Sequence, residues 1–299
     1  MVQRTKRQML QYGIATSLLL PHLSYGSHQK YRRIIVIGSS LAETVYALGA
    51  QDQIVGVDLT STYPLELQSK VKLGYMRNLS IEGLMSLNPD LVMLSQDAGP
   101  PLVIDQLKKF GVPVEIFPVC MSIDDVKNQI SRVGKILDLT LRSTHLNEQI
   151  SQNWHKTQKM MSQSFDTSKQ NHRQALSVIF LMAHIPGKMM AAGKGTTADN
   201  VLNMLQLKNR FTFEGYKPIS AESLIYVNPD VVVMTEQGVK ALGGEDRLWY
   251  IPGMSKIVAK KAVDFIQMDA NYLLAFGPRL PYAIAELNEK INRIAFKSH

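Results

Sequence analysis

SIEGLMSLNPDLVMLS at residues 80–95 returns 140 residues later as SAESLIYVNPDVVVMT at residues 220–235. The two copies align without a gap, and seven of sixteen positions are identical, including the whole Asn-Pro-Asp tripeptide. Solenoid repeats have periods of about 20–50 residues, so this spacing instead predicts two similar lobes in one chain. A cleft between two lobes is a usual place for a ligand.

Each copy is predicted to form a short capped helix followed by a buried strand. Ser80 and Ser220 are good N-cap residues, and the proline of Asn-Pro-Asp prevents the helix from continuing. The branched apolar run that follows is typical of a strand buried on both faces. A Gly-Tyr pair precedes each copy, at residues 74–75 and 215–216.

The rest of the chain alternates strand and helix patterns, which predicts an α/β fold. Strands are predicted at 33–38, 54–57, 91–95, 114–117, 175–182, 231–235 and 265–268. From Ser122 to about residue 165 the chain has no proline and one glycine, so we predict a helix from Ser122 and a second, long helix from Thr140 that braces the lobes. The glycine-rich stretch 187–195 matches no phosphate-binding loop and is predicted to be a turn.

The N-terminus has the pattern of an export signal. Arg4, Lys6 and Arg7 precede a short apolar stretch, and small residues around Gly26 suit signal cleavage. No cysteine follows that stretch, so we expect no lipid anchor and a Gram-negative periplasmic location. The predicted domains are therefore a signal peptide (1–26), an N-terminal lobe (27–121), an inter-lobe helical brace (122–170) and a C-terminal lobe (171–299).

Composition and motifs disfavour several classes of function. The formal charge of +8 is spread along the chain without a Lys/Arg block, which disfavours nucleic-acid binding. The single cysteine, Cys120, is predicted to be a buried apolar residue. Nucleophile-elbow, Walker A, zinc-protease and Cys-x-x-Cys motifs are missing from the sequence, so we expect no enzyme. One rival interpretation is a cytosolic α/β enzyme with Gly38-Ser39-Ser40 as a weak nucleotide loop.

Four segments resemble the periplasmic hemin-binding proteins of bacterial haem ABC importers. They are GYMRNLSIEGLMSLNPDLV within residues 71–93, the second copy within 214–238, ALGGEDRLW at 241–249 and LLAFGPR at 273–279. The wider family of helix-braced binding proteins also includes siderophore and cobalamin receptors. The resemblance implies two Rossmann-like lobes joined by one long brace helix, with the ligand cleft between them. It also implies that ferric haem is the transported ligand, that an inner-membrane ABC permease dimer is the partner, and that an outer-membrane haem receptor acts upstream.

The resemblance assigns roles to particular residues. Tyr75 of the GYMR segment is the implied axial ligand of the haem iron, a recognised mode of haem ligation. Arg77 and Arg279 are implied contacts of the haem propionates or of the ligand tyrosine. His184, the one histidine that follows a buried strand, is a candidate second iron ligand, or else a structural histidine.

Four further residues complete the prediction. Tyr216 and Lys217 are weaker candidates for the cleft. Glu82 and Glu222 occupy the same repeat position, and an acidic residue in the first turn of a helix is locally favourable. In the resembling families this pair docks onto a two-fold permease, which needs matched acidic points. The alternative function is a receptor of the same fold for a ferric siderophore or cobalamin.

Overall fold

A computed structural model describes residues 30–163, 176–185, 188–259 and 261–297, without the side chains of residues 163, 184, 185, 188, 296 and 297. The predicted signal peptide, residues 1–26, lies outside the described residues. Among the described helices, none combines the length and the apolar character needed to cross a membrane.

The N-terminal lobe is a parallel five-stranded sheet in the order β3-β2-β1-β4-β5. Its strands are β1 (Ile34–Ile37), β2 (Ile54–Val57), β3 (Val71–Lys72), β4 (Leu91–Ser95) and β5 (Val114–Phe117). Its helices are α1 (Ser39–Ala47), α2 (Ile81–Met85) and α3 (Pro101–Lys109).

Two helices connect the lobes. Helix α4 (Ile123–Ile136) begins where predicted, because the Ser122 hydroxyl accepts a 3.1 Å hydrogen bond from the Asp125 N–H. Helix α5 (Thr140–Gln163) has 24 residues, so it is about 36 Å long at a rise of about 1.5 Å per residue. It packs on α4 at one side and on the C-terminal helix α12 (Leu280–Lys297) at the other, as expected of a brace.

The C-terminal lobe has a mixed sheet in the order β10-β9-β6-β7-β8. Its strands are β6 (Val178–Ile185), β7 (Lys188–Ala192), β8 (Tyr216–Pro218), β9 (Val231–Thr235) and β10 (Asp264–Met268). Its remaining helices are α6 (Thr197–Met204), α7 (Ala221–Val227), α8 (Glu236–Leu242), α9 (Asp246–Trp249), α10 (Met254–Val258) and α11 (Ala270–Leu274).

The prediction of a turn over 187–195 is wrong for most of that stretch. Residues 188–192 form β7, which pairs antiparallel with both β6 and β8. The apolar run Met189–Ala192 supplies side chains that can pack on both faces of the sheet, and this outweighs the flanking glycines. Strand β6 also starts later than predicted, at Val178 rather than residue 175.

The repeated Asn-Pro-Asp fastens the central strand in both lobes. Asp90 accepts hydrogen bonds from the N–H groups of Arg32 and Arg33, just before β1, at 2.6 and 3.0 Å. Asp230 accepts from the N–H of Ser177, just before β6, at 2.7 Å. The repeat therefore encodes a local connection between the end of a helix and the start of the neighbouring strand.

Alternate residues of the central strands enter different cores. Ile34 and Val36 of β1 join a large cluster that includes residues of both lobes and of the helices between them, whereas Ile35 and Ile37 pack on the outer side of the sheet. In β6, Val178 and Phe180 join the same large cluster. One continuous core therefore fixes the lobes against each other and positions the cleft.

Candidate functional site

A cavity lies between the lobes at the carboxyl ends of the N-terminal strands. The strand order reverses between β1 and β4, and such a switch point is where α/β sheets bind ligands. The cavity has a volume of about 210 Å³. Its walls come from the N-lobe segments after β1, β4 and β5 and, in the C-terminal lobe, from Thr197, Leu274 and Ala275.

Two hydrogen-bond donors in the segment after β1 are already engaged within the protein. The Gly38 N–H donates to the buried carboxylate of Asp58 at 2.9 Å. The Ser40 hydroxyl donates to the Phe276 carbonyl at 2.9 Å and accepts from the Gln129 amide. A phosphate here would meet a carboxylate and engaged donors, so the geometry disfavours the nucleotide-binding rival.

The backbone around Tyr75 is held by hydrogen bonds, while the residue stays about half exposed beside Arg77. The carbonyls on either side of it, at Gly74 and Met76, accept from the N–H groups of Leu59 and Gly99, each at 2.9 Å. The Tyr75 carbonyl itself accepts from Asn78 at 2.8 Å. The phenol side is 47% exposed, and the next residue, Met76, lines the cavity.

Arg77 lies beside Tyr75 and forms an ion pair across the rim of the cavity. Its Nη2 is 2.7 Å from Oδ2 of Asp97, and both side chains are substantially exposed. The hydrogen bond to Asp97 is the main cause that raises the pKa of Arg77, and Tyr75 contributes in the same direction. Arg77 is therefore a cation next to the tyrosine, and its contact with a ligand stays a prediction.

The second Gly-Tyr pair is arranged differently. Tyr216 lies in β8 and packs against the large core, and its hydroxyl is 3.4 Å from the Thr197 hydroxyl. Since Thr197 lines the cavity, Tyr216 lies behind the cavity wall. Lys217 points to the other side of the strand, where its Nζ is 5.4 Å from the centre of the Phe213 ring.

Arg279 joins the two lobes. Its Nε and Nη2 donate to the two carboxylate oxygens of Glu43 in α1, at 3.0 and 2.9 Å. Its guanidinium lies over the Tyr63 ring, with 3.3 Å from the guanidinium carbon to the ring centre. We call Glu43, Tyr63 and Arg279 the interlobe latch.

The Glu43 carboxyl group of the interlobe latch is buried. Only 6% of the Glu43 side chain is exposed. Burial raises the pKa of Glu43, whereas the hydrogen bonds and charge of Arg279 lower it without cancelling the effect of burial. A Cβ added at Gly277 would lie 3.1 Å from the Glu43 carboxyl carbon, so the FGPR segment packs tightly on α1.

A second interlobe contact lies near the latch. The Asn271 amide donates to the Thr60 carbonyl at 2.7 Å and to the Thr62 hydroxyl at 2.8 Å. Sequence reasoning missed Glu43, Tyr63 and Asn271, because nothing in their own neighbourhoods distinguishes them from ordinary surface residues. The FGPR motif pointed to Arg279 but not to its partner, which is 236 residues away.

Glu82 and Glu222 lie at equivalent exposed places in the two lobes. The serine caps are formed in both: Ser80 accepts from the Gly83 N–H and Ser220 from the Ser223 N–H. Neither glutamate forms an ion pair with another described residue.

His184 lies in β6 at a shift in the pairing register between Ala183 and Ile185, but its side chain is outside the described part, so its role stays a prediction. No group of three His, Cys, Asp or Glu residues suitable for a metal ion occurs within the described ranges. Cys120 is buried as predicted, and burial raises its pKa to about 12. It is therefore an inert thiol at neutral pH.

The family model for periplasmic binding proteins matches residues 34–272. The chain belongs to the periplasmic binding protein family. This assignment agrees with the two-lobed α/β fold predicted from the repeat. Members of the family act as substrate-binding components of ABC transporters, which implies a permease as the partner of this periplasmic binding protein.

Three solved heme-binding proteins have a similar structure. The heme-binding protein BhuT, solved with two hemes, is 35% identical with a TM-score of 0.80, over 88% of this chain and 98% of its own. RhuT from Roseiflexus sp. RS-1, in the apo form, is 29% identical with a TM-score of 0.80, covering 88% and 99%. A periplasmic heme-binding protein from Pseudomonas aeruginosa is 30% identical with a TM-score of 0.78, covering 88% and 93%.

Curated relatives have other names. An uncharacterised ABC transporter substrate-binding lipoprotein of Bacillus subtilis, YvrC, is 28% identical over 269 residues, which are 89% of this chain and 82% of the relative. A vitamin B12-binding protein of Vibrio parahaemolyticus is 20% identical over 273 residues, 91% and 93% of the two chains.

Proposed function

We propose that this periplasmic binding protein captures ferric haem in the interlobe cleft and delivers it to an inner-membrane ABC permease. The observation that carries the proposal is the half-exposed phenol of Tyr75 on a hydrogen-bonded backbone beside the cavity, with Arg77 next to it. The similarity to BhuT and the other heme-binding proteins supports haem as the ligand.

Tyr75 supplies the iron ligand in this proposal. Ferric iron prefers an anionic oxygen donor, and an unperturbed tyrosine has a pKa of about 10. A neighbouring cation favours the phenolate, and Arg77 is the cation in reach. Because the Tyr75 backbone is already held by three hydrogen bonds, little ordering of this segment accompanies haem binding.

Arg77 and Arg279 are the proposed propionate contacts, under different constraints. The Arg77 side chain is 58% exposed and uses one Nη on Asp97, so its other donors can reach a propionate. Arg279 donates one hydrogen from Nε and one from Nη2 to Glu43, which leaves the two Nη1 hydrogens and the second Nη2 hydrogen for a ligand. Tyr216, Lys217 and His184 are secondary candidates, and the orientation of Lys217 away from Tyr216 makes it the weakest.

A receptor for cobalamin is the second candidate, since several curated relatives are vitamin B12-binding proteins. A ferric siderophore is the third candidate ligand. Neither cobalamin nor a ferric siderophore offers an iron site that needs an exposed tyrosine, whereas ferric haem does. The effect of substituting Tyr75 on ligand binding therefore distinguishes haem from the other two ligands.

Titration of the purified protein with hemin tests the proposal. We expect saturable binding with the absorption spectrum of a high-spin ferric haem, and we expect that spectrum to disappear in Tyr75→Ala. Cyanocobalamin and a ferric hydroxamate are titrated in parallel. Saturation by either of these with no Soret change on adding hemin would overturn the haem proposal and leave the family assignment untouched.

The place of action and the docking residues follow from the same proposal. A Gram-negative periplasm with an outer-membrane haem receptor upstream would supply the ligand, and Glu82 and Glu222 would meet the two halves of the permease. The double variant Glu82→Arg/Glu222→Arg should bind hemin normally but fail to support growth on haem iron. Growth equal to wild type would rule out the docking role.

A further inference from the structure

The exposed face of α7 carries aromatic surface that the equivalent face of α2 lacks. Tyr226 lies one helical turn after Glu222 and is 91% exposed, and Ile225 beside it is 38% exposed. At the repeat offset of 140 residues they correspond to Ser86 and to the half-buried Met85. Folding alone gives no reason to expose a tyrosine so fully, since tyrosine gains most where its ring is covered.

A groove of about 370 Å³ adjoins this tyrosine. Phe213 forms part of its floor and is itself backed by the buried Phe211, with ring centres 5.4 Å apart. Glu222, Ser223, Tyr226 and Val227, which lie on one face of α7, line its other side. A rigid aromatic floor beside a charged group is the arrangement of a binding hot spot.

Glu222 places a carboxylate at this groove, which is also lined by the cation Arg210. Hydrogen bonds from its own backbone N–H and from Ser220 lower the pKa of Glu222, so the carboxylate is negative at neutral pH. Lys256 lowers the pKa of Glu222 further through its charge, but Glu222 forms no ion pair with a described residue. A basic side chain of another molecule can therefore pair with the exposed carboxylate of Glu222 next to the aromatic rings of the groove.

We propose that Phe213, Glu222 and Tyr226 form an aromatic dock that makes the stronger of the two contacts with the permease. Its occupant is a loop of one permease subunit that presents a basic side chain to Glu222 and an apolar side chain to the groove. The proposal rests on the proposed delivery to a permease and goes beyond the matched glutamates. A two-fold permease offers the same loop twice. Glu222 has the exposed Tyr226 one turn away, whereas Glu82 has Ser86 at the matching position.

The repeat offers a matched position for a crosslinking test. The photoreactive residue p-benzoylphenylalanine is placed at position 226 or at position 86 of the full-length protein, in cells of the source organism that lack the natural copy. We expect the probe at 226 to crosslink efficiently to a subunit of an ABC permease, identified by mass spectrometry, and the probe at 86 at least about fivefold less. Equal crosslinking at both positions, or a crosslink from 226 to a second copy of this chain, would overturn the aromatic dock.

Haem-dependent growth measures how much the aromatic dock contributes to permease binding. Substitution of a hot-spot aromatic by alanine costs 2 kcal/mol or more, about 30-fold in affinity. Tyr226→Ala should therefore reduce haem-dependent growth strongly at low haem, whereas Ser86→Ala should match wild type. Hemin titrations of both purified variants should equal wild type, and wild-type growth of Tyr226→Ala would contradict the proposal.

The two proposals fail in different ways. If hemin does not bind while position 226 still crosslinks to a permease, the haem proposal fails and the dock stands with another ligand. If hemin binds and Glu222→Arg abolishes growth while Tyr226→Ala does not, the dock fails and the delivery proposal stands.

Discussion

The two lobes contain the same Gly-Tyr pair before the same helix, but the two tyrosines have different surroundings. Tyr75 lies in a turn after the short edge strand β3 and is 47% exposed. Tyr216 lies within β8, pairs with Ala192 of β7 and packs against the core. In the C-terminal lobe, strand β7 pairs antiparallel with the second Gly-Tyr segment, so that Tyr216 becomes part of strand β8. The same dipeptide thus supplies a ligand candidate in one lobe and a structural residue in the other.

The features common to both lobes are structural. In each lobe a serine caps the helix and an aspartate fastens the central strand. The features that differ are the residues of the proposed ligand site and of the proposed docking surface: Tyr75 and Arg77 in one lobe, and Arg279 and Tyr226 in the other. Pairs of equivalent substitutions can therefore test which differences matter.

The interlobe latch should give the largest effect on stability. Arg279→Ala removes the guanidinium charge and both side-chain hydrogen bonds from the buried Glu43 carboxylate, which keeps only the 3.2 Å hydrogen bond from the backbone N–H of residue 279. Breaking a buried ion pair costs about 3–5 kcal/mol. The exposed pair of Arg77 and Asp97 is the matched control, for which Arg77→Ala should cost no more than about 1 kcal/mol. Urea denaturation measures both values, and equal losses would contradict the difference.

The latch also predicts a pH dependence. Burial raises the pKa of Glu43 in the folded state, and a carboxyl with a raised folded-state pKa favours folding at low pH and loses that contribution as pH rises. Without Arg279 the folded-state pKa lies higher still. The loss of unfolding free energy in Arg279→Ala should therefore be larger at neutral pH than at about pH 4.5, and Glu43→Gln in the same background should remove this dependence.

The two Gly-Tyr pairs should differ in haem binding. We expect Tyr75→Ala to weaken hemin binding by at least about 100-fold, beyond the 10–100-fold typical of losing a residue that supports a metal ligand. Tyr216→Ala should change it by less than about tenfold, because Tyr216 lies behind the cavity wall. Isothermal titration with hemin measures both, and similar losses would show that the lobes contribute equally.

The repeated aspartates should be close to equivalent. Asp90→Ala removes the hydrogen bonds that the Arg32 and Arg33 N–H groups donate, and Asp230→Ala removes the one that the Ser177 N–H donates. Hydrogen bonds to a charged group are worth about 1.5–3 kcal/mol. Asp230 also pairs with Lys261 at 2.6 Å, with partly exposed side chains, which adds at most about 1 kcal/mol. The losses in free energy of unfolding of the two variants, measured by thermal or urea unfolding, should agree within that margin. No loss of stability in Asp90→Ala would show that the two aspartates are not equivalent.

The serine caps should give the smallest effects. Ser80→Ala and Ser220→Ala each remove one N-cap hydrogen bond, which costs about 1 kcal/mol. Their effects should match each other and leave hemin binding unchanged. A large difference between the two would show that one of these short helices depends on contacts outside the repeat.

Several local features could be predicted from the sequence because neighbouring residues determine them. Ser122 caps α4 and Thr140 begins α5 as predicted, and the strands at 54–57, 91–95, 114–117 and 231–235 have the predicted bounds. Strand β7 could not be predicted in the same way, because its stability depends on pairing with β6 and β8. The short helices α9, α10 and α11 are likewise held by packing.

The sequence by itself determined the two-lobed α/β fold and the helical brace, because capping and periodicity depend on a few neighbouring residues and the repeat marks the two lobes. The roles predicted for the GYMR residues came from the resemblance to hemin-binding proteins. Only the tertiary structure decided that Arg279 bonds Glu43, that Tyr216 is covered while Tyr75 is half-exposed, and that Tyr226 stands beside a groove. These outcomes depend on contacts between residues far apart in the chain. Such contacts depend on how the lobes pack, which no local pattern specifies.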